Sequence, residues 1–111
     1  SINPYSFTQS VIIKNKNILK SENKYGTERM LKNFKASKKD AILIKLPKVK
    51  QDLRIDLPTI GFKTLKYCRL KKIKGIILKS KQNIFLDQLK SINFANKNKI
   101  FIKAIWRKYL F

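Results

Sequence analysis

The chain has 111 residues and a formal net charge of +21, because 27 Lys and Arg oppose six acidic residues and there is no His. Its hydrophobic fraction of 43% is that of a globular protein, and its length excludes two full domains. One cysteine, Cys68, and no His exclude an internal disulfide, an imidazole base and a Cys/His zinc site. Any metal must therefore be held by oxygen ligands.

The pattern of apolar residues predicts one domain over residues 10–105, preceded by a linker or entry segment over 1–9 and followed by a basic aromatic tail over 106–111. Strands and helices alternate along it. The predicted elements are a β-hairpin over 10–14 and 18–20, a helix over 27–34, a strand over 41–46, a helix carrying 65–70, strands over 75–78 and 83–86, a helix carrying 89–95, and a strand over 100–105. This order predicts a small single α/β domain with a mixed β-sheet flanked by helices.

Local signals refine these elements. The polar turn at 15–17 tolerates left-handed backbone and favours a hairpin. Thr27 and Asp87 are each predicted to cap the helix that follows with a side-chain oxygen. The nearly continuous apolar run 41–46 indicates a central strand buried on both faces, and a long polar connection is predicted over 47–57.

The segment 45–61 is the first candidate site, because it follows the most strand-like run in the chain. Asp52, Arg54 and Asp56 alternate with apolar residues, so in an extended conformation they share one face. Two carboxylates there can hold Mg²⁺ or Mn²⁺, and the Arg can bind a phosphate with two hydrogen bonds. The alternative is a surface strand with a salt bridge.

A second candidate is the segment 22–28, in which Gly26 and Thr27 at a helix start present free amides to an anion; the alternative is an ordinary capped helix. Cys68 is predicted to be a half-buried small residue rather than a nucleophile. The tail 106–111 fits either a membrane-surface anchor or a contact with a partner domain.

The excess of positive charge has three interpretations. The chain has 23 Lys but only four Arg, together with 16 Ile and nine Asn, which favours compositional drift from an AT-rich coding sequence. Nucleic-acid binding is the second interpretation and attraction to an anionic membrane surface is the third. No apolar run is long enough to span a bilayer and no secretion signal is visible, so we expect a cytoplasmic protein. Because it begins at Ser1, we also expect processing or a longer parent chain.

Three stretches, taken in this order, match the pattern of a known family. They are residues 4–14, residues 22–31 with Gly26-Thr27-Glu28, and residues 44–61, which end in Asp56-Leu57-Pro58-Thr59-Ile60-Gly61. Together they resemble the C-terminal domain of the UDP-2,3-diacylglucosamine pyrophosphatases of the LpxI type, which are two-domain, metal-dependent enzymes of lipid A synthesis. The resemblance covers residues from about Pro4 to Ile105.

The resemblance implies hydrolysis of UDP-2,3-diacylglucosamine to 2,3-diacylglucosamine 1-phosphate (lipid X) and UMP. It implies that Asp56 is the essential carboxylate beside a divalent metal, Mg²⁺ or Mn²⁺, and that Asp52 shares that role. The substrate-binding residues that it implies are Lys45, Lys48, Gln51, Arg54, Thr59, Gly26 and Thr27. It also implies an N-terminal domain that completes the active site, and a peripheral position at the inner face of the inner membrane. The alternatives are a non-catalytic lipid-phosphate or nucleotide-sugar binding module and a basic nucleic-acid-binding protein.

Overall fold

The computed structural model describes residues 10–35, 38–49, 55–56, 58–80 and 84–105; for 48–49, 55–56 and 84 it describes the backbone alone. The predicted linker 1–9 and tail 106–111 lie outside the described residues. The elements are β1 (Ser10–Lys14), β2 (Asn17–Ser21), α1 (Thr27–Asn33), β3 (Ala41–Lys45), β4 (Lys48–Val49), β5 (Ile55–Asp56), β6 (Thr59–Ile60), α2 (Phe62–Leu70), β7 (Ile73–Leu78), β8 (Ile84–Phe85), α3 (Gln88–Lys97) and β9 (Phe101–Ala104).

Five strands form one mixed sheet in the order β2-β1-β3-β7-β9. β1 pairs antiparallel with β2 and β3, whereas β3, β7 and β9 run parallel to one another. This arrangement confirms the predicted α/β domain with a mixed sheet. The parallel strands are connected by α2 and α3, as crossover geometry requires.

The predicted hairpin is confirmed. β1 and β2 are joined at Asn15 and Lys16, whose φ angles of 50° and 67° are left-handed. Two successive left-handed residues match the twist of the flanking strands, which is why this polar turn forms a tight hairpin. The predicted central strand is confirmed too, since β3 lies in the middle of the sheet.

The hydrophobic core lies between the helices and one face of the sheet. Ile12, Leu43 and Ile76 are partners across β1, β3 and β7, and all three are fully buried. The helices add the buried residues Met30, Leu31, Leu65, Cys68 and Ala95 to the same cluster. In this arrangement α2 contacts β7 and α3 contacts β9.

The polar connection predicted over 47–57 contains two short strands. Within that stretch, β4 and β5 pair antiparallel, with Lys48 opposite Asp56 and Val49 opposite Ile55. The alternation of apolar and polar residues over 53–57 already favours an extended chain, which is why a strand forms there.

Both predicted side-chain caps are wrong. Thr27 is the first residue of α1, and the N-cap is Gly26, whose φ of 93° is readily adopted by glycine. Asp87 does occupy the N-cap position of α3, but its backbone is left-handed and its side chain makes no capping hydrogen bond. An N-cap side chain normally reaches the free amides from extended backbone, so the left-handed conformation explains the loss.

Candidate functional site

The candidate site lies where the parallel strands β3 and β7 end. Lys45 is the last residue of β3, and its carbonyl accepts a hydrogen bond from the amide of Lys79, which directly follows β7 (2.9 Å). The antiparallel β1 starts at the same edge, with Ser10 opposite Lys45. Open α/β sheets bind ligands at the carboxyl ends of their parallel strands, so this edge is the expected position for a site.

A set of buried and half-buried polar side chains gathers at this edge. We call Ser10, Glu22, Thr27 and Lys45 the carboxyl-edge cluster. The hydroxyls of Ser10 and Thr27 are hydrogen-bonded (2.9 Å), and the Thr27 hydroxyl also donates to the Glu22 carboxylate. The Glu22 amide donates to the Ser10 carbonyl (2.9 Å), which ties the end of β2 to the start of β1. The cluster therefore joins two strand ends to the first turn of α1.

Lys45 is the buried cation of this cluster, with only 6% of its surface exposed. Burial lowers the pKa of its ammonium group below the ordinary value of 10.5, and the nearby Glu22 carboxylate opposes this shift. A buried charge is tolerated when an opposite charge stands beside it. Glu22 is thus the counter-charge of Lys45.

Cys68 lies on the inner side of α2 and is fully buried, so the prediction that it is half-buried is wrong. Burial raises the pKa of its thiol to about 12, and Lys45 opposes that shift. A thiol with such a pKa stays protonated at neutral pH, and the thiolate is the nucleophilic form. Its chemistry is that of a small core residue.

At the start of α1, the candidate anion site, Thr27 does not cap the helix as predicted. The hydroxyl of Thr27 is engaged within the carboxyl-edge cluster, while a Cβ added to Gly26 would meet no atom within 4 Å. Gly26 therefore leaves open space beside the first turn of α1. That turn stands at the same edge as Lys45, because Thr27 is bonded to Ser10.

The residues of the 45–61 segment leave the sheet at this edge. Two residues separate β3 from β4, so Lys48 follows Lys45 closely, and Asp56 is its backbone partner on β5. Thr59 begins β6, which pairs parallel with β8. Gln51, Asp52 and Arg54 lie outside the described residues, so the shared face of Asp52, Arg54 and Asp56 stays a prediction.

The described acidic residues outside the cluster are tied to lysines or stand apart from it. Asp40 pairs with Lys14 (2.9 Å) and Glu28 pairs with Lys63 (3.4 Å). Among the residues whose side chains are described, no three His, Cys, Asp or Glu come together as a metal site. The described helices also include none long and apolar enough to cross a membrane.

Reasoning from the sequence missed Ser10 as part of the site and did not anticipate that Lys45 would be buried with Glu22. The sequence holds a weak signal for Ser10, because it is a polar residue at the start of an apolar strand. In the structure its side chain is fully buried. Its partner Thr27 is 17 positions away in the chain, so local patterns cannot connect them.

Comparison with protein-family models matches residues 1–103 to the LpxI C-terminal domain. A search of curated proteins found no match to the chain. The family match covers almost the whole chain, including the carboxyl-edge cluster and all of the 45–61 segment. The chain therefore belongs to the LpxI C-terminal domain family, which acts in lipid A biosynthesis.

Proposed function

We propose that this chain is the C-terminal domain of a metal-dependent hydrolase that cleaves the pyrophosphate of UDP-2,3-diacylglucosamine into 2,3-diacylglucosamine 1-phosphate and UMP. One observation carries the proposal: the family match runs through the complete 45–61 segment, and that segment leaves the sheet at the carboxyl ends of its parallel strands. The protein would act in the cytoplasm, at the inner face of the inner membrane.

Asp56 is the proposed essential carboxylate, with Asp52 beside it. The two would hold a Mg²⁺ or Mn²⁺ ion. The donor set fits such a hard cation, because the chain has no His and its single Cys is buried in the core. When bound, the ion neutralises charge on the pyrophosphate and lowers the pKa of a bound water.

The remaining groups of the segment would bind the anionic substrate. Arg54 suits a phosphate because its planar guanidinium forms two parallel hydrogen bonds, while Lys48 and Gln51 add a point charge and an amide. Thr59 and the first-turn amides of α1, from Thr27 onward, would contact the substrate from the flanking elements, whereas the Gly26 amide donates to the Asn23 carbonyl (3.1 Å). Preorganised donors of this kind stabilise the charge that develops as the phosphoryl bond breaks.

Lys45 would act from inside the protein. It is the last residue of β3 and lies three positions before the start of β4, so its positive charge is held at the edge from which the segment emerges. Water screens a buried charge much less than an exposed one. Lys45 would thereby favour an anion at this edge, with Glu22 keeping the ammonium group protonated.

The catalytic unit would require a second, N-terminal domain, with the active site between the two. This is the arrangement that the family resemblance implies. The 111-residue chain alone would then bind substrate or product weakly and hydrolyse the substrate slowly. Joining it to that domain would restore hydrolysis.

The test is UMP release from UDP-2,3-diacylglucosamine by the intact protein with Mg²⁺ or Mn²⁺. We expect Asp56→Asn to lower turnover by at least about a hundredfold, because a carboxylate beside the transferring phosphoryl group is lost. Asp87→Asn is the matched control, since Asp87 is exposed at the start of α3 and should leave turnover unchanged. Full activity in Asp56→Asn contradicts the assignment of Asp56. Substrate binding without any UMP release favours a non-catalytic binding module.

A further inference from the structure

A groove on the outside of the domain combines apolar and positively charged side chains. We call it the α2–α3 groove, and it has a volume of about 610 Å³. Its apolar lining is Tyr67, Leu70 and Phe94, and its cations include Lys66, Arg69 and Lys72. It lies on the outer side of the same helix whose inner side carries Cys68, so it is separate from the carboxyl-edge cluster.

The charged residues described in the lining of the groove are all positive. Its described lining residues include four cations and no carboxylate. Lys63 at one end of the groove pairs with Glu28 (3.4 Å), and both of these side chains are largely exposed. The groove therefore complements an anionic partner.

An exposed apolar side chain accompanies this charge in the groove. Leu70, at the end of α2 and in the lining of the groove, is 70% exposed. Large apolar groups in water raise the free energy of the folded domain unless a partner covers them.

A partner of this groove must bind its cations and also cover its apolar side chains. Cations bind anionic headgroups, and leucines enter the boundary between headgroups and acyl chains, which is how helices lie on membrane surfaces. Nucleic acid fits less well, since it would leave Leu70 without an apolar partner. Base stacking also needs an open ring, whereas Phe94 in the groove already packs against the Phe62 ring (5.1 Å).

We propose that the α2–α3 groove docks this domain onto an anionic phospholipid bilayer, with Lys66, Arg69 and Lys72 at the headgroups and Leu70 at the acyl boundary. This inference rests on the proposed position at the inner membrane and names the surface that would bind there, and vesicle binding tests it independently of hydrolysis. It assigns a membrane role to one face of the molecule rather than to its total charge.

The experiment is flotation of the 111-residue chain with vesicles of phosphatidylcholine alone and with vesicles containing a quarter phosphatidylglycerol. The groove variant is Lys66→Glu with Arg69→Glu. Its matched control is Lys16→Glu with Lys20→Glu, which changes the net charge equally on the exposed β1–β2 hairpin, at the opposite edge of the sheet from β9. We expect binding to anionic vesicles only, an at least tenfold loss in the groove variant, and a change below about threefold in the control.

A second pair of variants tests the apolar contribution. Leu70→Ser should weaken vesicle binding several-fold, whereas Ile18→Ser, which alters a 48% exposed residue on β2, should not. Circular dichroism confirms that each variant is folded. Equal losses in groove and control variants, or equal binding to neutral vesicles, would overturn the proposal. So would groove variants that lose binding to duplex DNA but keep binding to vesicles.

Discussion

Lys45 in the carboxyl-edge cluster and Lys66 in the α2–α3 groove differ in their access to water. Lys45 is buried at the end of β3, and the Glu22 carboxylate favours its charged form. Lys66 is exposed on α2, with its ammonium group 5.8 Å from the centre of the Phe62 ring. The first charge is part of the folded structure, whereas the second is available to a partner.

This difference changes the meaning of the net charge. A total of +21 suggests one property spread over the surface. In the structure, a lysine in the carboxyl-edge cluster affects stability and the chemistry of one edge, while lysines in the α2–α3 groove affect association. Position, rather than number, therefore decides what each lysine contributes.

The largest effect should come from removing the counter-charge of Lys45. Glu22→Gln leaves a buried ammonium group without its carboxylate, which should lower the free energy of unfolding by about 2–3 kcal/mol, since Glu22 itself is half-buried. Glu28→Gln is the matched control, because it breaks the exposed pair with Lys63 and should cost less than about 0.5 kcal/mol. Urea unfolding at neutral pH measures both. Equal losses in the two variants would mean that burial does not distinguish the two regions.

Much of the fold follows from local sequence patterns. The apolar run of β3 indicates a buried strand whatever its neighbours are, and the polar residues Asn15 and Lys16 favour a tight turn by their own conformational preferences. Such signals need only a few consecutive residues. The order of strands and helices and the mixed sheet could therefore be predicted.

The site could be predicted only where its signal is local. The 45–61 segment is recognisable because its residues are consecutive, and the roles of Asp52 and Asp56 stay predictions. The carboxyl-edge cluster was not foreseen, because Ser10, Thr27 and Lys45 meet only after β1, β3 and α1 have assembled. The same assembly engages the Thr27 hydroxyl with Ser10 and Glu22, which is why the predicted cap is absent.

The second-largest effect should be a difference in the pH dependence of stability between variants of Lys45 and variants of Lys66. Because the pKa of Lys45 is below 10.5 in the folded domain, the unfolded chain holds more protons between that lowered value and 10.5. Stability should therefore rise with pH through this window, by up to about 1.4 kcal/mol per pH unit. Lys45→Met should remove this rise and Lys66→Met should keep it. Lys79, whose pKa is also lowered by burial, is present in both variants and does not affect their difference.

These measurements belong in a Cys68→Ala background, so that the thiol does not contribute. Urea unfolding from pH 7 to pH 10.5 gives the slope for each variant. An identical rise in Lys45→Met and Lys66→Met would show that the buried lysine is not its source.

The smallest effect concerns Cys68, which lies on α2 between the two regions. Cys68→Ala should cost about 1 kcal/mol at neutral pH, because a small buried group is lost from the core. The pKa of this thiol rises from 9.0 to about 12 on folding, so above pH 9 the unfolded chain loses a proton that the folded chain keeps. The stability advantage of the wild type over Cys68→Ala should therefore shrink as pH rises above 9, so that the two curves approach each other. Parallel curves above pH 9 would contradict the buried, protonated thiol. Converging curves would show that the inner side of α2 excludes charge, whereas its outer side carries the exposed cations of the α2–α3 groove.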